Sequence, residues 1–188
     1  MRYAKDHKEK TRQRIIEVAA QNFRERGFEG EGIASVMQSA GLTNGAFFNH
    51  FSSKEDLARE VVAYALAERL DFLNERLATG GNTRAYIESY LSARHRDNPQ
   101  HGCPIASLVG DVSRRSEPVR DAFAQGMETL VNRLAEQWPE LPAAQARGKA
   151  IALYALINGA LQMSRATKDD ALSEEILASG RDAAIAML

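Results

Sequence analysis

Apolar residues recur three and four positions apart along most of the chain, and no convincing stretch alternates apolar with polar residues. The pattern predicts an all-α protein of about nine helices. A first helix over Lys8–Arg26 sets Ile15, Ile16, Ala19 and Phe23 on one stripe and stops at Gly27. A short helix over Ile33–Ala40, with Gly32 as a tolerable N-cap, breaks at Gly41, and another short helix starts at Thr43, a good N-cap. Ser52 and Ser53 each find an acid three residues on, so a capping box opens a long helix near Lys54. Its stripe is Val62, Leu66, Leu70, Leu73 and Leu77, and Thr79-Gly80-Gly81-Asn82 ends it. A helix over Arg84–Ala93, a loop over Asp97–Gly102 and a helix with Pro104 in its first turn follow.

Three longer helices close the chain. The one opened by Pro118 lines up Val119, Ala122, Phe123, Met127, Leu130, Leu134 and Trp138. The next, about Ala143–Thr167, is apolar on two sides, with Ala150, Leu153, Tyr154, Ile157 and Leu161 on one and Ala152, Ala155, Leu156, Gly159 and Met163 on the other. A helix apolar on two sides needs two burial partners. The last, about Leu172–Leu188, carries Leu172, Ile176, Ala183, Ala184 and Met187 on its apolar side. Burying both helices against a second copy is the simplest solution, so a homodimer is expected.

Composition sharpens this. At 188 residues, 44% apolar, the chain is long enough for a sizeable core. No apolar run approaches the ~20 residues of a membrane span, and the basic N-terminus lacks the apolar stretch of a signal peptide, so a cytoplasmic location without a membrane partner is expected. A single cysteine excludes an internal disulfide. Residues 1–54 carry nine Lys or Arg against six Asp or Glu, while the remainder carries 15 against 19. A basic head on an acidic body is compatible with nucleic-acid binding by the head.

Residues 32–51, GIASVMQSAGLTNGAFFNHF, read as two short helices joined by a turn at Gly41. Ile33, Val36, Met37, Leu42 and Phe47 supply the small core that fixes their angle, and the second helix would lie in a DNA major groove. Helix pairs with a glycine turn also occur in all-helical cores that never touch DNA, so spacing alone leaves a helical interaction protein as the alternative.

The wider string, Glu9 to Leu57, resembles the TetR family of transcriptional regulators. The resemblance rests on Ile15 with Ala19, Phe23, Arg26-Gly27-Phe28, Ile33-Ala34, Ala40-Gly41-Leu42, Gly45, Phe48, His50-Phe51, Ser53-Lys54-Glu55 and Leu57. It implies a DNA-binding domain over 1–54, with a connecting helix from 53, and a ligand-binding and dimerisation domain over 55–188. It further implies a homodimer on a palindromic double-stranded DNA operator, a repressor's role, and release by a small-molecule inducer. Thr43 would cap the recognition helix and bond a phosphate. Gly45 and Ala46 would let the backbone approach the groove. Asn44 and Asn49 are amides suited to base edges, adenine best. His50 and Lys54 would reach phosphates, Lys54 at a helix start that itself attracts anions, with Lys8, Lys10 and Arg12 adding backbone contacts. Phe48 stands where the family usually has a tyrosine whose hydroxyl bonds phosphate; it is counted with the DNA-binding residues without that bond, and packing is its alternative reading. Asn44 stands where a basic residue is frequent.

In the C-terminal body Cys103 precedes a helix, and Arg94, His95, Arg96 and His101 lie nearby in sequence. If they sit close in space they favour a thiolate, which makes Cys103 a candidate electrophile or oxidant sensor. The competing reading is a small apolar residue packed at a helix start. Tyr64, Phe72, Tyr86, Tyr90, Phe123, Met127 and Trp138 lie on the helices that line the ligand cavity in the family. Each is more often core than contact. The histidines show no metal-ligand pairing, no cofactor motif is present, and no catalytic constellation supports an enzyme.

Overall fold

The structure is a computed structural model and describes residues 2–78 and 83–188. The break expected at Thr79–Asn82 lies outside the described residues. The described residues form nine α-helices and two 3-10 segments, with no strand. Helices α1 (Arg2–Gly30) and α2 (Ile33–Ser39), a 3-10 segment (Asn44–Asn49) and the start of α3 (Lys54–Ala78) make up the head. The body adds α4 (Thr83–Tyr90), α5 (Ala93–Asp97), a 3-10 turn (Pro99–His101), α6 (Pro104–Val112), α7 (Glu117–Ala135), α8 (Ala143–Ala166) and α9 (Asp170–Ala186). Long α3 runs from head to body and packs on both α1 and α7, while α8 lies along α9 and against α7.

Local chemistry explains the boundaries. Gly41 takes φ 69°, and Leu42 N–H bonds the Met37 carbonyl at 2.8 Å while Gly41 N–H bonds that of Gln38 at 2.9 Å, a Schellman closure of α2. Ser53 Oγ accepts from Asp56 N–H at 3.0 Å, and the Asp56 carboxylate reaches back to Ser52 N–H at 3.0 Å, which is the expected capping box displaced by one donor. The Ser52 N–H holds the Asp56 carboxyl below its ordinary range against the opposing cost of burial, with Arg59 and the Ser52 hydroxyl adding to the fall.

Five expectations need correction. Helix α1 does not end at Gly27 but kinks there, with φ 73° and ψ 171°, and continues to Gly30. The segment after Thr43 is 3-10 rather than α, and the Thr43 hydroxyl caps nothing; its carbonyl accepts from Ala46 N–H at 3.0 Å. The helix expected over Arg84–Ala93 ends at Tyr90 because Ser92 starts a new helix, its Oγ accepting from His95 N–H. The expected Asp97–Gly102 loop holds the end of α5 and the 3-10 turn. In α9 the inward side is Ser173, Leu177, Gly180 and Ala184, so of the expected apolar side only Ala184 is fully covered.

Candidate nucleic-acid interface and the adjoining cavity

The head is built on a dry core. Val36, Met37 and Phe47 are fully buried and Ile33 and Leu42 pack against them, as the spacing predicts. Phe51 is buried beside Phe47, ring centroids 5.5 Å apart. With Phe47 anchored inward, the 3-10 turn lifts its other residues outward: Thr43, Asn44, Gly45, Phe48 and Asn49 are exposed and Ala46 is half-buried. Nothing lies within 4 Å of where a Cβ on Gly45 would stand. Phe48 is 70% exposed and meets Phe47 edge-on at 5.2 Å, so it stands in the exposed row and the packing alternative falls.

His50 and Lys54 flank this row, both half-buried, Lys54 being the first residue of α3. The His50 Nδ1 is shut off from solvent without a partner. Burial lowers the His50 pKa, the Lys8 and Arg12 cations lower it further, and Glu9 opposes them. The shift favours the neutral imidazole. Lys8 and Lys10 are exposed. Arg12 is instead held over the Phe51 ring at 5.0 Å and paired with Glu60 at 3.1 Å.

Behind the head, a cavity of about 480 Å³ opens between α1, α3, α4 and the 92–104 segment. That volume suits a small organic ligand. Of the aromatic candidates Tyr90 and Phe72 line it, while Tyr64, Tyr86, Phe123, Met127 and Trp138 are not among its lining residues. Tyr86 backs the wall, its hydroxyl accepting from Arg69 at 2.7 Å. Gly102 and Pro104 line the cavity on either side of Cys103. Cys103 itself is fully buried, its Sγ donating to Asn158 Oδ1 at 3.8 Å and its N–H donating to His95 Nε2 at 2.9 Å. The His95 Nδ1–H donates to the Tyr90 carbonyl at 2.7 Å. Both ring nitrogens are thus engaged, which fixes the tautomer and removes His95 as a metal ligand. Burial pushes its pKa down to about 4 against the opposing Tyr90 carbonyl, with Arg69 and Arg165 adding to the fall.

Sequence reading missed two residues here, Arg24 and Arg69. Both are buried cations that line the cavity, 8% exposed each, and the Nε of each is buried without a partner. Each sits on a helix among ordinary surface arginines, so no local signal separates them; only the tertiary fold buries them.

Residues 15–61 match the family profile described as bacterial regulatory proteins, tetR family, and residues 81–179 match the tetracyclin repressor-like C-terminal domain. The chain is 28% identical over 131 residues to the HTH-type transcriptional repressor NemR of Escherichia coli, covering 67% of this chain and 66% of that repressor, just under two thirds of its length. It is 22% identical over 170 residues to the HTH-type transcriptional regulator LmrA of Bacillus subtilis, covering 85% of this chain and 88% of the relative. Among solved structures, the reduced form of E. coli NemR superposes with a TM-score of 0.75 at 24% identity, over 93% of this chain and 95% of that one. A TetR-family regulator from Cytophaga hutchinsonii gives 0.77 at 21% identity, over 96% of each chain. At these identities the structural likeness shows the fold alone.

Proposed function

The chain belongs to the tetR family of bacterial regulatory proteins, and on that premise we propose that it acts in the cytoplasm as a non-enzymatic, ligand-responsive repressor, a homodimer on a palindromic operator. The observation that carries this reading is the exposed row Thr43, Asn44, Gly45, Phe48 and Asn49 standing over a buried Phe47. Among the described residues, neither the Asn44 nor the Asn49 amide has a hydrogen-bond partner within the chain, so both are available to base edges. The neutral His50 and Lys54 take phosphates on the flanks, with Lys8 and Lys10 beyond them.

Dimerisation is supported by the second side of α8. Ala152, Ala155 and Met163 are exposed, and Leu156 and Gly159 only half-buried, in the single chain. Exposed Ile151 and Leu172 extend the apolar surface around the α8 and α9 pair. The first side of α8 is spent on the body, with Ala150, Leu153, Ile157 and Leu161 buried. A second copy related by a two-fold axis covers the remaining side and sets two reading heads on one duplex.

The cavity between head and body houses the inducer in this reading. Cys103 is fully buried between two residues that line the cavity but does not line it itself, so a reagent reaches its thiol only when the surrounding packing opens. In a sensor role it predicts that Cys103→Ser keeps operator binding and loses release by an electrophile or oxidant.

Hydroxyl-radical footprinting of the chain's own promoter tests the whole reading. Two protected patches about one helical turn apart are expected, each occupied by one chain of a dimer seen independently by sedimentation. A single patch, or a monomer at micromolar concentration, contradicts it.

A further inference from the structure

The cavity between head and body is strongly cationic. Four arginines line it, Arg24 from α1, Arg69 and Arg76 from α3 and Arg94 from α5, against one carboxylate, Glu68. Glu68 is already engaged, accepting from Arg24 at 2.9 Å and from the Tyr64 hydroxyl at 3.3 Å. His95 adds no charge, since burial keeps it neutral.

Arg69 is the sharper case. Among the described residues no carboxylate pairs with it; its guanidinium donates to the Tyr86 hydroxyl. Burial raises the Tyr86 and Tyr90 phenols, so neither supplies a counter-charge near neutral pH. Its guanidinium lies over the rings of Phe72, Tyr86 and Tyr90 at 4.7, 5.1 and 4.9 Å. Aromatic faces offset part of the cost of a buried cation but leave its charge uncompensated. The Nε atoms of Arg69 and Arg24 are both buried and unpartnered, one on the body and one on the head.

We propose that this cavity binds an aromatic carboxylate, its ring against Phe72 and Tyr90 and its carboxylate held by Arg69 and Arg24. Guanidinium and carboxylate match as planar bidentate partners, and the pair gains strength away from water. A ligand held this way competes with Glu68 for Arg24, one of the two arginines, with Arg12, that pair α1 with a carboxylate of α3 among the described residues. Occupancy therefore acts directly on the helix that carries the reading head, and lowers operator affinity. This assignment rests on the reading of the cavity as the inducer site.

Calorimetry on the full chain with benzoate and 2-naphthoate, each beside its neutral amide, tests the assignment without any variant. At least one carboxylate is expected to bind tenfold or more tightly than its amide. No binding by either carboxylate at millimolar concentration, or equal binding by acid and amide, overturns it. Arg69→Met is expected to keep thermal stability and operator binding while abolishing the preference for the acid; an unchanged preference in that variant also overturns it. Operator binding by the ligand-free wild type is measured in parallel. If that fails while the carboxylates bind, the regulator reading falls and the anion site stands.

Discussion

The Asp111 carboxylate in α6 accepts a hydrogen bond from the Phe28 backbone N–H in α1 at 3.1 Å. This bond ties the body to the head at the one place where α1 kinks. Gly27, next to it, takes φ 73° with ψ 171°, a conformation open in practice only to glycine. A Cβ there would stand 2.7 Å from Asp111 Oδ2. Arg115 reinforces the joint, pairing with Glu29 at 2.6 Å and Glu55 at 2.9 Å while lying 4.8 Å over the Phe28 ring. Gly27→Ala is expected to cost about 2 kcal/mol in chemical denaturation, the sum of backbone strain and a forced carboxylate. In an Asp111→Ala background the clash is gone, so the Gly27→Ala penalty shrinks. Full additivity of the two changes would contradict this account of the joint.

Phe48 offers a gain rather than a loss. It is exposed and supports no core, so Phe48→Tyr leaves the unfolding midpoint unchanged. The added hydroxyl supplies a phosphate hydrogen bond of about 1 kcal/mol, or roughly a fivefold tighter operator complex by anisotropy. An unchanged or weaker complex would show that Phe48 does not face the backbone.

Lys54 acts as a charge at the start of α3. Lys54→Gln is expected to weaken binding uniformly across operator variants and to lower the slope of log affinity against log salt by about 1. A change in base preference with an unaltered slope would instead place Lys54 on a base edge.

Stability should fall with acid through His95. Its folded pKa is about 4, below the ordinary value of 6.5, so the unfolded chain binds the extra proton. The contribution is fully present above about pH 6.5 and is lost progressively as pH falls toward 4, on the order of 3 kcal/mol if the whole shift is realised. His95→Gln is expected to be less stable than wild type at pH 7.5 and to show a flatter decline between these limits. Equal slopes in denaturation series would exclude His95 as the source.

The head was legible in the sequence because its determinants are local. A glycine that must take positive φ at 41, a serine cap at 53 and a short-range core of Val36, Met37 and Phe47 are all written within some twenty residues. The 3-10 form of the turn after Thr43 is not legible in the sequence, because six residues carry too little periodicity to separate the two helix types. Two consecutive phenylalanines cannot both face one core, and hydrophobicity alone does not say which turns in; the structure buries Phe47 and leaves Phe48 exposed. The cavity was barely legible. Tyr90 and Phe72 were found by helix position, but Arg24 and Arg69 are buried only because α1, α3 and α4 converge on them, a relation between residues 24, 69 and 86–90 that no window along the chain contains.

The central claim is that the row from Thr43 to Asn49 reads a DNA sequence. Fluorescence anisotropy of the ligand-free chain with a palindromic duplex from its own promoter, against a scrambled duplex of equal composition at physiological salt, tests this most directly. The account predicts a preference of at least about a thousandfold, reduced by substitution of Asn44 or Asn49 with alanine while binding to the scrambled duplex is unchanged. Equal affinity for the two duplexes, or no binding to either at low salt, would contradict it.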